Sequence, residues 1–418
     1  MLYRLSGDIN IVIIIELSNS LAFFITLFEY LRNLNYYKMN RLYIFFPHCY
    51  IKATSTELLI YDTITFKGVY LKDVVLANHN IDRLNRFGYI EENCDTKFLL
   101  QKIATNHFGY YIQYDGFMPY IPERKLRIAT SLQKEKKALG YNLTSYTNMM
   151  LTSLTLLLNN TIFTYLNAFS YQQLEYPDTN CVEIDMEKIS LQLRSFCLEK
   201  IILSGELSYG KLEKFLEYAR DRNIQVIYRI HYLAYPFSYI KEILRKFDSL
   251  VIELLVDSHT PFHMLNFNEE RLLYKYIITS ISDVDKISKI GKDVILCPVF
   301  LDTKTITLQS QMIMTKDEIL QSCHTLKECY VKEYINPSCF GHLTINFNGE
   351  VCCLNERIES LRDMDLPYII NKWVGSQGCL WYLARNKRCC CKECAIQVLC
   401  PSVSIYELLN IYKCPCTV

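Results

Sequence analysis

Residues 200–228 read KIILSGELSYGKLEKFLEYARDRNIQVIY and contain one complete strand–helix–strand unit. Lys200–Leu203 and Gln225–Tyr228 are rich in β-branched residues, and Lys211–Asn223 carries apolar residues at helical spacing. Continuous apolar runs are typical of parallel strands that are buried on both faces. Because parallel neighbours need a crossover connection, this stretch predicts an α/β fold with a parallel sheet.

The same alternation extends in both directions from this unit. The further elements that the pattern predicts are strand Leu154–Leu158, helix Met186–Phe196, helix Tyr239–Phe247, strand Leu250–Val256, helix Glu269–Ile290 and strand Val294–Leu296. We expect residues 150–333 to form one sheet or partial barrel with right-handed crossovers. Ligands of such folds bind at the carboxyl ends of the strands.

Residues 40–125 have a different sequence pattern. Short runs rich in Tyr, Ile, Val and Phe predict four strands, Leu42–Phe46, His48–Lys52, Glu57–Asp62 and Thr65–Tyr70. A helical pattern follows at Leu99–His107. A small sheet followed by helices indicates a winged-helix-like domain, and a plain α+β subdomain is the alternative interpretation.

The first 38 residues are apolar but give no membrane or export signal. Ile11–Leu31 is interrupted by Glu16, Asn19 and Glu29, so it is an unsuitable membrane span. A basic start and a small-residue cleavage site are both missing. Because a strand-like run follows Met39 at once, we interpret residues 1–38 as an upstream extension and expect a cytoplasmic protein.

Bulk composition is that of a globular protein. Half of the 418 residues are apolar, 21% are charged, and the net charge is +1. So small a net charge gives no general attraction to nucleic acid or to an anionic membrane surface. We therefore expect neither as a partner.

Cysteines are concentrated at the end of the chain. There are 18 in all, and 11 lie from Cys339 onward. The spacing Cys391-x2-Cys394-x5-Cys400 is typical of a metal site, because a two-residue gap lets one turn direct both sulfurs at one metal. The other candidate ligands are Cys339, Cys352, Cys353, Cys414 and Cys416. Spacing alone leaves zinc, iron–sulfur clusters and disulfides as alternatives.

The tail, residues 334–418, resembles the SPASM domain that follows the catalytic domain of many radical SAM peptide-modifying enzymes. The resemblance rests on Cys339 and Gly349 followed by the Cys391, Cys394 and Cys400 spacing. It implies that these last three bind one [4Fe–4S] cluster with Cys414 or Cys416 as the fourth ligand. A second cluster at Cys339 with Cys352 or Cys353 stays open. The sequence departs from the SPASM pattern at Ser402 and Ser404, and Cys352 and Cys353 follow Gly349 too soon.

The core lacks the family's catalytic motif. Radical SAM enzymes place CxxxCxxC after the first strand, where three thiolates hold the cluster that binds S-adenosylmethionine. Here the first strand is followed by residues 159–180 without a cysteine, and the next cysteine is Cys181. Asparagine, threonine and tyrosine are poor ligands for a soft iron site. We therefore expect no catalytic residue and no S-adenosylmethionine cofactor in this core.

One segment of the core resembles a cofactor-binding segment of the family. Ser204-Gly205-Glu206 resembles the GGE segment that contacts S-adenosylmethionine in the family, which makes Glu206 a candidate cofactor-binding residue. An ordinary strand-to-helix loop, with glycine at a positive φ, is the alternative.

Residues 40–418 together resemble the pseudo-radical-SAM proteins of the GG-Bacteroidales peptide-maturation system. The resemblance implies a partial (β/α)6 barrel between a winged-helix-like peptide-recognition domain and a SPASM-like domain. It also implies a non-catalytic accessory protein whose partners are a precursor peptide with a Gly-Gly leader and an active radical SAM maturase. The alternatives are an enzyme that uses the SPASM cluster or the barrel mouth, and a structural four-cysteine zinc protein.

Two further groups of polar residues are weaker candidates. His231, His259 and His263, with Asp257 and Glu253, lie near strand ends and could form a hydrolytic or metal site, although their spacing fits no ligand signature. Neighbouring cations could activate Cys389 and Cys390 as reactive thiols. Satisfied polar side chains and spare cysteines are the respective alternatives.

Overall fold

A computed structural model describes residues 40–114, 117–124, 148–158, 169–170, 185–260, 269–287, 294–300, 314–354, 356–376 and 378–408. The chain divides into two units. The first comprises Met1–Phe46 with Phe87–Pro122, and the second comprises Pro47–Arg86 with Glu123–Val418. Each unit is described by itself.

The described residues form strands and helices in the following order. The strands are β1 Asn40–Phe45, β2 Cys49–Ala53, β3 Glu57–Asp62, β4 Lys67–Lys72, β5 Tyr89–Glu91, β6 Gly109–Tyr114, β7 Ser153–Leu157, β8 Phe169–Ser170, β9 Lys200–Ser204, β10 Gln225–His231, β11 Val251–Val256, β12 Leu272–Ile278, β13 Ile295–Phe300, β14 His342–Ile345, β15 Glu350–Cys353 and β16 Glu356–Ser360. The helices are α1 Asn78–Phe87, α2 Lys97–Ala104, α3 Met186–Gln192, α4 Tyr209–Arg220, α5 Phe237–Lys246, α6 Ile281–Ile287, α7 Lys316–Gln321, α8 Leu326–Lys332, α9 Leu366–Val374 and α10 Ile405–Leu408.

The first unit contains a three-stranded antiparallel sheet in the order β5-β1-β6. Tyr43 of the central strand is buried, and its ring makes edge-to-face contacts with Phe45 and Tyr111. Helix α2 buries Leu99, Leu100 and Ile103. Aromatic side chains on a short central strand thus supply the core of this unit.

The second unit contains a small antiparallel sheet in the order β2-β3-β4. One face of this sheet packs on the cysteine-rich tail: Tyr50, Leu59 and Tyr61 share a core cluster with Ala395 and Cys400. The Tyr50 hydroxyl donates a hydrogen bond to Glu333, and the Ala395 N–H donates one to Glu57. The first strands of the chain therefore help to hold its last residues.

The main element of the second unit is a ten-stranded sheet in the order β16-β15-β14-β7-β9-β10-β11-β12-β13-β8. The strands from β14 to β13 pair in parallel, whereas β8, β15 and β16 pair antiparallel at the two ends. Alternate side chains of the parallel strands are apolar and pack against α3, α4 and α5. Burial of these leucines, isoleucines and helix side chains supplies the main core of the unit.

Most of the predicted elements are confirmed within a few residues. Strands β1 to β4, β7, β9, β10, β11 and β13 and helices α2 to α5 correspond to predicted segments, so the mixed α/β fold with a parallel-rich sheet is confirmed. The predicted helix Glu269–Ile290 is wrong, because β12 and α6 replace it. Tyr274 and Tyr276 lie among buried strand residues, and β-favouring side chains in a fully buried position outweigh the helical spacing. The barrel and the domain boundaries stay predictions.

Among the described residues, no helix is long and apolar enough to cross a membrane. The proposed upstream extension, residues 1–38, lies outside the described ranges, and the expected location of the protein stays a prediction.

Candidate functional site

The parallel sheet has one apolar face and one polar face. On the polar face, which is the side opposite α3, α4 and α5, polar side chains interrupt the strands at alternate positions. They include Ser153 and Thr155 of β7, Ser204 of β9, Arg229 and His231 of β10, Glu253 of β11, Lys275 of β12, and His342 and Thr344 of β14. Most of them are buried. Burial of so many polar groups in the middle of a sheet is unusual and marks this face as the candidate site.

Three charged residues form the centre of the polar face. Arg229 is opposite Glu253 in the register of β10 and β11, and its guanidinium donates a hydrogen bond to Glu253 Oε1. Lys275 Nζ lies 3.4 Å from the same oxygen. Burial opposes ionisation of Glu253, but the charges of Arg229 and Lys275 outweigh it and hold its pKa below the usual value. Two cations therefore share one carboxylate.

His342 lies on the polar face near this charged group. Its ring nitrogens are 3.0 Å from Ser153 Oγ and 3.2 Å from Thr155 Oγ1. Burial, with added repulsion from Arg229 and Lys200, lowers the pKa of His342 to about 4. His342 is therefore a neutral ring near pH 7, and it adds no further positive charge to the site.

The Gly205–Leu207 loop leaves the carboxyl end of β9 in a fixed conformation. Gly205 has φ +116°, which a residue with a side chain rarely adopts. The Leu207 N–H donates to the hydroxyls of Tyr228 and Tyr235, each at 3.1 Å. Between them, Glu206 is half-buried, and burial raises its pKa. The role of Glu206 in cofactor binding stays a prediction. The loop that carries Glu206 is held by the hydrogen bonds of the Leu207 N–H.

The predicted histidine group is brought together only in part. His231 Nε2 lies 3.9 Å from Asp257 Oδ2, and burial lowers the pKa of His231 to about 4 against the opposing effect of Asp257. Asp257 Oδ1 accepts a hydrogen bond from the His259 N–H, so this carboxylate organises its own loop. His263 lies outside the described residues. Within the described residues, the group therefore amounts to a His231–Asp257 pair, to which His259 is joined through its backbone N–H.

Sequence reasoning missed the roles of Arg229, Lys275 and His342. A signal was present, because Arg229 and Lys275 are single charges inside otherwise apolar strand runs. Side chains on the same face of neighbouring strands contact each other, so Arg229 and Lys275 on either side of Glu253 predict a buried ion pair. Lys275 was hidden because its strand was interpreted as a helix.

The tail cysteines are well buried but irregularly placed. Cys391 and Cys400 are buried and Cys394 is half-buried, and all three lie outside strands and helices. The Cys394 N–H donates to the Cys391 carbonyl, which gives the tight turn that the two-residue gap predicts. Cys414 and Cys416 lie outside the described residues. Within those residues, none of the fifteen cysteines forms a disulfide.

An arginine occupies the space between two of the predicted ligands. Arg385 Nη1 lies 3.8 Å from Cys391 Sγ, and its charge interacts with Cys391 and Cys400. Its Nη2 is 2.7 Å from Glu407 Oε1, and the guanidinium also donates to the carbonyls of Pro401 and Ser402. Burial disfavours the charge, yet Glu407 outweighs it and raises the pKa of Arg385. A buried ion pair is therefore at the centre of the tail.

The cysteines in the described part of the chain do not fit a complete metal site. No group of three or more His, Cys, Asp and Glu side chains in those ranges is placed to hold a metal ion. Cys339 donates to the Leu380 carbonyl at 3.5 Å, as a core thiol does. Cys352 and Cys353 are consecutive residues of β15, so their side chains point to opposite faces. The thiols in these ranges are therefore not grouped as a metal site, and the predicted ligand set, which includes Cys414 and Cys416, stays a prediction.

Cys389 and Cys390, the candidate reactive thiols, directly precede the predicted ligand Cys391. Cys390 Sγ lies 3.6 Å from Cys391 Sγ, and Cys389 and Cys390 are exposed. Burial, with a hydrogen bond to Cys391, raises the pKa of Cys390. A raised pKa lowers the thiolate fraction at neutral pH, which does not support Cys390 as an activated thiol.

The chain is thus a mixed α/β protein with a parallel-rich sheet, a buried charged group on one face of that sheet, and a cysteine-rich tail. No protein-family model and no curated protein sequence matches it.

Solved structures of Streptococcus suis SuiB are similar to part of this architecture. The chain is 12% identical to SuiB with a TM-score of 0.43, covering 89% of this chain and 97% of that one. For SuiB bound to S-adenosylmethionine the values are 12%, 0.41, 89% and 97%. For SuiB bound to precursor peptide SuiA they are 11%, 0.38, 89% and 98%.

Proposed function

We propose that this chain is a non-catalytic accessory protein in the maturation of a ribosomally synthesised peptide. In this role it binds the precursor peptide, the active radical SAM maturase, or both. The observation that carries the proposal is that β7, the first strand of the parallel series, is followed by residues 159–180 without a cysteine. An iron–sulfur cluster at that position needs three thiolates. In this proposal the core therefore binds the peptide or the maturase, but it does not carry out the cluster-dependent chemistry of radical SAM enzymes.

The polar face is suited to holding structure together rather than to catalysis. The Glu253 carboxylate is engaged by two cations, and the His342 ring is hydrogen-bonded to the hydroxyls of Ser153 and Thr155. Groups that are already paired and buried are costly to displace for proton transfer. This supports a scaffold function for the sheet.

Strand β4 supplies a candidate surface for the peptide. In the part of the chain that the structure describes, β4 pairs with β3 and with no second strand. Its middle residues are half-buried and its ends, Lys67 and Lys72, are exposed. An extended peptide can add to such an edge through main-chain hydrogen bonds. The SPASM-like tail packs on one face of the same small sheet, which fixes the position of β4 within the second unit.

A synthetic leader peptide, taken from the precursor encoded with this chain, tests the proposal. We expect a photo-crosslinker at Val69 of β4 to capture the peptide, and one at exposed Tyr368 of helix α9 to leave it free. Methylating the peptide's backbone nitrogens at alternate positions should abolish binding for one set of positions and spare the other, because alternate N–H groups face the sheet edge. Equal loss for both sets would contradict strand addition.

The catalytic question has its own test. Protein purified without oxygen, incubated with dithionite and S-adenosylmethionine, should release no 5′-deoxyadenosine, while the active maturase serves as the positive control. Release of that product would overturn the non-catalytic proposal. Iron, sulfide and zinc contents of the same preparation test the predicted cluster at the tail cysteines.

A further inference from the structure

Strand β6, Gly109–Tyr114, forms one edge of the sheet in the first unit. In the part of the chain that the structure describes, β6 pairs with β1 and with no second strand. Its sequence, GYYIQY, contains no charged residue and no proline. Such an open edge presents a row of backbone N–H and C=O groups to which another strand can pair.

The other sheet edges within the described ranges are protected in ways that β6 is not. Strand β4 begins and ends on exposed lysines, β2 carries Lys52, and β16 carries Glu356, Arg357 and Glu359. Strands β5 and β8 have only three and two residues. Charge and shortness are usual means by which an edge strand avoids pairing with another chain. Strand β6 is six residues long and has neither protection.

Large aromatic side chains are exposed along β6 and just beyond it. Tyr110 is 49% exposed, and in the segment that follows the strand Phe117 and Tyr120 are 90% and 91% exposed. Aromatic side chains bury a large area when they enter an interface. An exposed apolar surface beside an open strand edge indicates a contact with another protein.

The edge is held in place from within its own sheet. The Tyr111 ring makes an edge-to-face contact with Tyr43 and lies below the Arg41 guanidinium. The Tyr114 hydroxyl donates to Glu91 Oε1 of β5 at 3.0 Å. An edge that is already ordered loses little conformational entropy when a further strand pairs with it.

The sequence of β6 is complementary to an antiparallel copy of itself. Tyr110, Ile112 and Tyr114 share one face of the strand, because side chains alternate between the two faces. In an antiparallel pair centred on Ile112, this residue lies opposite its own copy, and on either side Tyr110 lies opposite Tyr114 of the other strand. Aromatic cross-strand pairs of this kind are favourable. Because β6 is uncharged, the two-fold axis brings no like charges of the strand together.

We propose that two copies of this chain form a homodimer, in which their β6 edges pair antiparallel about Ile112. The pairing joins the two three-stranded sheets into one continuous sheet. A two-fold contact of this type uses the same surface on both copies, so it closes at two chains and leaves no open edge at β6. The inference stands independently of the proposed function, and it leaves the β4 edge of each copy to the peptide.

Sedimentation velocity of the full-length protein, over roughly 1–100 µM, measures the dimer directly. We expect Ile112→Lys to raise the dimer dissociation constant by roughly tenfold or more, because it places two like charges directly opposite each other. Ile64→Lys is the matched control. It changes an isoleucine that is 66% exposed in the second unit, and it should leave the dissociation constant within about threefold of wild type.

Mixing two charged variants tests the symmetry of the contact. Ile112→Glu should weaken the dimer as Ile112→Lys does. An equimolar mixture of the two should restore it, because opposite charges then face each other across the axis. A mixture that stays monomeric would overturn the pairing about Ile112, and a dimer that Ile112→Lys does not weaken would overturn the β6 edge as its interface.

A measurement on the wild type needs no variant and decides the proposal even if the charged variants fail to fold. Backbone amides of β6 should exchange with deuterium more slowly at high protein concentration than at low concentration, since pairing protects them. A wild-type protein that remains monomeric at the highest concentration, or a dimer without this protection in β6, would overturn the proposal.

Discussion

The large sheet and the cysteine-rich tail each bury an arginine–glutamate pair, but they hold it in different ways. In the sheet, Arg229 and Lys275 share the Glu253 carboxylate across three neighbouring strands. In the tail, Arg385 has Glu407 as its carboxylate partner and also donates to the carbonyls of Pro401 and Ser402. Glu407 is also engaged by a second cation, because Arg388 Nε lies 4.0 Å from its Oε2. The two regions therefore differ in their surroundings: the cations of the sheet group are both buried, whereas the tail adds backbone carbonyl acceptors around Arg385 and has Arg388 partly exposed.

This difference predicts which region loses more stability when its carboxylate is removed. Removing the carboxylate from the sheet leaves two buried cations without their shared acceptor. Removing it from the tail leaves Arg385 with two carbonyl acceptors and the partly exposed Arg388 with the backbone carbonyl of residue 407. Since both cations of the sheet group are buried, whereas Arg388 in the tail is partly exposed, the same substitution should destabilise the sheet more than the tail. We expect the largest effect in the sheet and the smallest at a helix cap that precedes the tail.

Glu253→Leu should have the largest effect. We expect it to lower the free energy of unfolding by about 4 kcal/mol, because breaking a buried ion pair typically costs about 3–5 kcal/mol. Urea denaturation followed by circular dichroism measures the change. Glu269→Leu is the control: it removes a partly exposed pair with Arg271 and should cost less than about 1 kcal/mol. Equal costs for the two variants would refute the shared-carboxylate interpretation.

The same substitution in the tail, Glu407→Leu, should cost less, about 3 kcal/mol, because the Pro401 and Ser402 carbonyls still accept from Arg385. The double variant R385M/E407L should recover part of that loss, since it removes the unpaired charge as well. Denaturant midpoints of wild type, Glu407→Leu, Arg385→Met and the double variant give the comparison. A double variant as unstable as the sum of two single losses would show that the pair is not the organising contact of the tail.

Acidification should affect the sheet through His342. Its pKa is about 4 in the folded protein, against 6.5 for a free histidine side chain. As the pH falls below 6.5, the unfolded chain binds a proton that the folded chain does not, so stability is lost until the pH approaches 4. Between pH 6.5 and 5 the loss from this residue should be about 2 kcal/mol.

The variant His342→Gln removes the titrating group while it can still hydrogen-bond Ser153 and Thr155. Its unfolding free energy should depend less steeply on pH over this interval than that of wild type. His231, whose pKa is also lowered to about 4, contributes a similar slope and should remain in the variant. Parallel pH profiles for variant and wild type would count against a neutral, buried His342.

Sequence predicted the sheet better than the tail for a physical reason. Runs such as Lys200–Leu203 and Leu250–Val256 are buried on both faces, and that requirement is visible in local composition. The tail is held by contacts between distant residues, such as Tyr50 with Glu333 and Glu57 with Ala395, which no local pattern contains. Cysteine spacing predicted the turn at Cys391–Cys394, but it did not predict the arginine beside it.

The residues of the candidate site also differ in how well the sequence predicted them. Glu253 and His231 were noticed because they lie in recognisable strand runs, whereas Lys275 was lost with the wrong helix at 269–290. His342 was not among the candidates from sequence, yet it lies on the polar face of the sheet, because β14 pairs in parallel with β7. A parallel pairing between segments this far apart in the chain leaves no local signal in either segment.

The smallest expected effect concerns α8, which precedes the tail. Thr325 and Glu328 form a capping box: each side chain accepts a hydrogen bond from the backbone N–H of the other. The Thr325-x-x-Glu328 spacing is a local signal that sequence can provide. Thr325→Ala should cost about 1 kcal/mol, Thr325→Ser much less, and the exposed control Lys327→Ala under about 0.5 kcal/mol, all read from urea midpoints. A Thr325→Ala loss as large as that of Glu407→Leu would overturn the comparison, because the tail would then depend on local capping rather than on its buried ion pair.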